Sequence, residues 1–141
     1  MTELQLGNLA AARAALERVA AIDNPSASAQ GSELVAALEG RDDRRALATR
    51  YAALPYNSRF DPGSGNVIEG YDMPYVLMLL DEPGLALDYL EKLAAEVGGT
   101  ADWTVMFPQM DPIRCDPRFV AVVAKLKTTD PRYAKVCQGK R

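Results

Sequence analysis

The sequence predicts an all-α protein. Apolar residues recur at three- and four-residue intervals along most of the chain, and no stretch of useful length alternates as a strand does. Asn, Asp, Gly and Pro fall where helices would have to start and stop. With 141 residues, 48% of them hydrophobic, there is enough material to bury a core.

Each element has its own local reason. Leu9, Ala12, Leu16, Val19 and Ala20 form one stripe of an amphipathic helix, with Asn8 as its N-cap and Asn24-Pro25 as its end. A second helix runs from about Ser28 to Glu39, with Leu34, Val35 and Leu38 inward and Gly40 as a left-handed stop. A third runs from about Asp42 through Ala46, Leu47, Arg50 and Leu54, and Pro55 cannot continue it. YNSRFDPGSGN, 56–66, has the composition of a loop. Asp72 and Pro74 open a fourth helix over YVLMLL, and Asp81-Glu82-Pro83 turns into a fifth through Leu87, Leu90, Leu93 and Ala94, closed by Gly98-Gly99. A short segment around Trp103 precedes helices that begin at Asp116 and Asp130. In both of these the Asp is an N-cap and the following Pro occupies the first turn, where its missing N–H costs nothing. Phe119 is the first core anchor of the earlier one.

Composition restricts the chemistry. The chain has no histidine, so serine-histidine and cysteine-histidine catalysis are excluded. Two cysteines 22 positions apart, without a CxxC pair, cannot supply the usual four zinc ligands. We therefore expect no metal, no cofactor and no enzymatic activity; the many Asp and Glu residues read as caps and solvated faces. The longest apolar runs, such as Val76 to Leu80, are too short to cross a bilayer, which predicts no membrane insertion of this segment.

Charge is uneven: residues 1–111 hold 17 acidic and 8 basic side chains, residues 112–141 hold 2 and 8. The basic tail (Arg114, Arg118, Lys125, Lys127, Arg132, Lys135, Lys140, Arg141) is either a patch for phosphates or an acidic partner, or a solvated helical face turned to its own acidic neighbours. The second reading is preferred, and direct nucleic-acid binding is not expected. Cys115 stands at a helix start beside Arg114 and Arg118, a setting that lowers a thiol pKa, yet no base accompanies it. If a helix from Asp130 returns antiparallel to the one from Asp116, Cys137 comes back towards Cys115. That geometry permits a disulfide, and closing a loop of roughly 20 residues would contribute about 3 kcal/mol. An oxidised pair would place this part outside the reducing cytoplasm; free thiols would fit a cytoplasmic protein.

The helices also repeat. ALERVAAI at 15–22 resembles YLEKLAAE at 89–96, and Ala12, Ala46 and Ala86 occupy matching places at intervals of 34 and 40, the surplus being accounted for by the loop at 56–66. A two-helix period of 34 resembles the tetratricopeptide repeat, in which a small residue is followed by a bulky one four later and a small or apolar one three beyond, after a Gly-Asn or Gly-Asp turn. Gly7-Asn8 with Ala12, Leu16 and Val19 fits; Gly40-Arg41-Asp42 with Ala46, Arg50 and Ala53 fits in part; Asp81 with Ala86, Leu90 and Leu93 lacks the turn glycine.

The resemblance implies an antiparallel helix-pair solenoid, a TPR-like single domain over 1–141, with about three imperfect repeats in 1–97 and a closing cap in 98–141. Only six residues precede the first Gly-Asn turn, which predicts either a C-terminal portion of a longer protein or self-association over the N-terminal helix. Trp103, Phe107-Pro108, DPIRCDPRF and VAVVAKL are similar to the closing segment of helical-repeat regions in bacterial multidomain regulators, including winged-helix transcription regulators and some cyclases.

The expected function is thus a non-catalytic interaction or sensory module of a bacterial regulatory protein, binding a peptide or protein on its concave face. Tyr71, Tyr75 and Met78 share the side of the fourth helix that lines this face in the repeat register, although such a stripe is also what a core looks like. Tyr56, Arg59 and Phe60 would form a rim on the long loop or pin it down. The alternatives are a small-molecule sensor, which needs a closed apolar pocket, and a carboxylate enzyme, which needs a convergent buried acid pair.

Overall fold

A computed structural model describes residues 7–20, 25–54, 72–97 and 104–126. Among these the protein is all-α, without strands. The helices are α1 (Leu9–Ala20), α2 (Pro25–Leu38), α3 (Arg44–Ala52), α4 (Met73–Leu79), α5 (Pro83–Val97) and α6 (Pro117–Lys125), with 3-10 turns at Thr104–Met106 and Pro108–Ile113. The chain divides into two compact units, Met1–Glu69 and Gly70–Arg141. The expected junction between repeats and cap at 97–98 therefore falls inside the second unit.

In the first unit, Asn8 caps α1 as expected, its Oδ1 accepting from the Ala11 N–H at 3.2 Å. α2 begins at Pro25, three residues before the expected Ser28. The proline that stops one helix starts the next, because its fixed φ suits a first turn. α1 lies against α2 most closely at Gly31, where an added Cβ would stand 2.3 Å from Leu16 Cδ2. The buried stripe of α2 is Leu34, Val35, Ala36 and Ala37.

α2 ends at Gly40, whose φ of 76° is the left-handed conformation expected of it. The Gly40 N–H donates to Ala37 O at 3.0 Å and the Arg41 N–H to Ala36 O at 2.9 Å, satisfying the last carbonyls of the helix. Arg44 adds two donations, to Ala37 O and Leu38 O. The N-cap of α3 is Asp43, one residue after the Asp42 suggested by the sequence; its Oδ1 accepts from Arg45 N and Ala46 N at 2.9 and 3.1 Å. α3 packs on α2 through Leu47, Ala48 and Tyr51, all buried.

In the second unit Pro74 sits in the first turn of α4, and Met73 to Leu77 are all buried. The turn into α5 repeats the pattern at Gly40: the Asp81 N–H donates to Met78 O at 3.1 Å and the Glu82 N–H to Leu77 O at 3.0 Å. Asp81 has a φ of 63°, so it takes the left-handed place itself although it is not a glycine. α5 packs on both α4 and α6, with Ala86, Leu87, Tyr89, Leu90, Leu93 and Ala94 buried.

α6 starts as its sequence demands. Asp116 accepts from the Arg118 N–H at 2.8 Å, Pro117 is in the first turn, and Phe119 is 1% exposed. The helix from Asp130 lies outside the described residues.

The structure also departs from the register expected for α3. Ala46, Arg50 and Ala53 are exposed, so they are not the packing face of α3. Counted from the helix starts Leu9, Arg44 and Pro83, the fourth residues are Ala12, Leu47 and Ala86, all buried. The eighth are Leu16, half-buried, with Tyr51 and Leu90, both buried. Extra turn residues between Gly40 and α3 push the pattern on by one, giving intervals of 35 and 39.

Candidate functional site

Within the first unit, α1, α2 and the turn after α2 enclose an open groove of about 500 Å³. Its lining comprises Arg13, Leu16 and Glu17 of α1, Ser32, Glu33, Val35 and Ala36 of α2, and Arg41 and Asp42 of the turn. Helical spacing explains the composition. Val35 and Ala36 belong to the buried stripe and Leu16 packs over Gly31, while Arg13 and Glu17, four apart, project along one outer edge of α1.

The charges around it are mostly committed. Arg13 forks onto both oxygens of Glu39, and Arg41 donates to the same carboxylate through Nε at 2.8 Å. The hydrogen bond from Arg41, assisted by Arg13, holds the Glu39 carboxyl below the usual carboxylate range. Glu33 pairs with Arg50 at 2.9 Å and lies 3.1 Å from the Tyr51 hydroxyl, which is also 3.1 Å from Gln30 O. Burial first, then the charge of Glu33, pushes the Tyr51 phenol up. Glu17 and Asp42 are exposed and have no ion-pair or hydrogen-bond partner for their carboxylates among the described residues.

The candidates drawn from the sequence are placed differently. Tyr75 is fully buried, with its ring centroid 5.4 Å from that of Phe107, so its side chain presents no surface to a partner. Tyr75 is core because α4 packs against both α5 and the second 3-10 turn. The Tyr75 hydroxyl has no hydrogen-bond partner among the described residues; burial and then Asp72 push its pKa up to about 12. Met78 is half-buried. Tyr71, Tyr56 and Arg59 lie outside the described residues.

Cys115 is a free, half-buried thiol, and its candidate partner Cys137 lies outside the described residues. Among the described residues no group of three metal-ligating side chains converges.

Two members of the basic tail are engaged by their own chain. Arg114 is 7% exposed and donates to the carbonyls of Val105, Met106 and Phe107 and to the Asp111 carboxylate. Arg118 reaches from α6 to Asp88 and Glu91 of α5, and its hydrogen bond keeps the Glu91 carboxyl below its ordinary range. Arg118 is thus turned to its own acidic neighbours, while Lys127, Arg132, Lys135, Lys140 and Arg141 lie outside the described residues. The groove itself has a faint signature in the sequence, the Arg13/Glu17 spacing beside Gly40-Arg41-Asp42; only packing shows that these share one concavity with Val35. No protein-family model, curated protein or solved structure matches the chain, so the site rests on its geometry alone.

Proposed function

We propose that the chain is a non-catalytic, TPR-like interaction module that binds a peptide or protein segment in the α1–α2 groove, as part of a bacterial multidomain regulator. The groove carries the reading: it is open, its floor is apolar and its rim is charged, which suits a chain segment that keeps one side in water. Support for a repeat module comes from the recurrence of one turn design. Left-handed residues at Gly7, Gly40 and Asp81 each precede a helix whose fourth residue is buried. The regulator context rests on the resemblance of residues 103–126 to closing segments of such repeat regions.

The sensor alternative has one observation in its favour. Tyr75 Oη and Gln109 Oε1 are buried without partners, and they belong to α4 and the 3-10 turn that pack on each other. A donor and an acceptor in that position suit a small polar guest, or a water.

The test is selection of binders from a random peptide library on the immobilised full chain, followed by amide chemical-shift mapping. The interaction reading expects selected peptides to shift Leu16, Ser32, Val35 and Arg41. No enrichment, or shifts confined to residues 72–126, would sink it.

A further inference from the structure

We infer that the occupant of the α1–α2 groove is a basic segment with an apolar anchor: one or two Lys or Arg side chains flanking a Leu-, Ile- or Met-sized residue. This rests on the interaction reading and specifies its partner.

The inference follows from which rim charges are already satisfied. Arg13 and Arg41, the cations of the lining, both already bind Glu39. Of the three lining carboxylates, Glu33 is engaged by Arg50 and Tyr51. Glu17 and Asp42 have no such partner among the described residues, and they come from two different contributors to the groove, α1 and the turn after α2. A ligand therefore meets two exposed, unpaired carboxylates together with the apolar surface of Leu16, Val35 and Ala36. Rim charges of this kind set approach rate and sign selectivity, while the floor supplies the burial. A volume of about 500 Å³ lies within the range of pockets that hold a compact ligand, here a few side chains of a peptide.

The same peptide library decides it, read by charge. Enriched sequences should carry net positive charge around an apolar residue. A synthetic consensus peptide should bind the double variant Glu17→Lys/Asp42→Lys about tenfold more weakly than the wild type, since two exposed charge pairs are each worth a fraction of a kcal/mol to about one. Its affinity for the wild type should fall with added salt. Both positions are exposed, and Asp43, not Asp42, caps α3, so the variant keeps its fold; its circular dichroism checks this.

Acidic or neutral peptides that shift the groove amides, or basic ones whose affinity the double variant leaves unchanged, would overturn the charge assignment and leave the interaction reading standing. No enrichment, or binding mapped away from the groove, would overturn both.

Discussion

Arg114 carries a full charge at 7% exposure, and what makes that tolerable is a set of backbone carbonyls. Three of these and one carboxylate accept its donors, which fixes residues 105–107 against the start of α6. A planar fork does this and an ammonium cannot. Arg114→Lys should cost roughly 2 kcal/mol and Arg114→Met about 3 kcal/mol or more, read by urea unfolding, because carbonyls are left dry and unpaired; an unchanged midpoint for both would refute the role. The sequence shows Arg114 only as one more base in a basic tail, because its partners are main-chain atoms that leave no letter behind. Asp116-Pro117, by contrast, is legible, since a cap acts on its own neighbours. Tyr75 tests the opposite case, a buried hydroxyl without a partner. Tyr75→Phe should be neutral or stabilise by up to about 1 kcal/mol, whereas a loss would reveal a bound guest on that hydroxyl. Burial holds Tyr75 and Tyr89 neutral up to about 12. With the folded pKa raised, their contribution is intact below the unfolded value of 10.0 and is lost as pH climbs from there towards 12. The second unit should thus lose stability across that alkaline window, and the Tyr75→Phe/Tyr89→Phe pair should lessen the loss, read by urea unfolding at pH 9 to 12.

At the scale of elements, the turns carry the design. Gly40 and Asp81 close α2 and α4 with the same pair of backbone hydrogen bonds, but only one is the residue type that conformation prefers. Gly40→Ala should therefore destabilise by about 1 kcal/mol and Asp81→Gly should stabilise by a similar amount at most. Thermal melts of the two variants check the pair, and a shift of the same sign in both would contradict the shared geometry. The helices themselves are legible because periodicity and caps are local. The packing face of α3 is not, since it depends on how many residues the turn after Gly40 uses: counting repeats from the alanines selects Ala46 and Arg50, while counting from the helix start selects Leu47 and Tyr51, the residues that meet α2. The same limit applies to the site. Tyr75 and Met78 share a helix side in the sequence, but the second 3-10 turn packs onto α4, and only that contact separates a core stripe from a binding face.

For the whole molecule, the question is whether it unfolds as one array or as two blocks. A repeat array is coupled through each neighbouring interface, so its units melt together when those interfaces are strong. The chain instead divides after Glu69, close to the polar stretch 56–66 that a sequence-based count of repeats treats as surplus length. Leu34, Val35, Leu47 and Tyr51 are buried residues of the first unit, and Met73, Leu77, Leu90, Leu93 and Phe119 of the second. The division into two compact units predicts two unfolding transitions. Buried amides report on the units separately: the resonances of Val35 and Leu47 follow the first, those of Leu90 and Phe119 the second. In urea the two signals should fail to superimpose. Residue-level variants then assign the phases: Arg114→Lys should move the transition of the second unit and leave that of the first in place, and Gly40→Ala should do the reverse. If the traces coincide and each variant moves both signals together, the two units form one cooperative block, and a continuous solenoid becomes the better description of the fold.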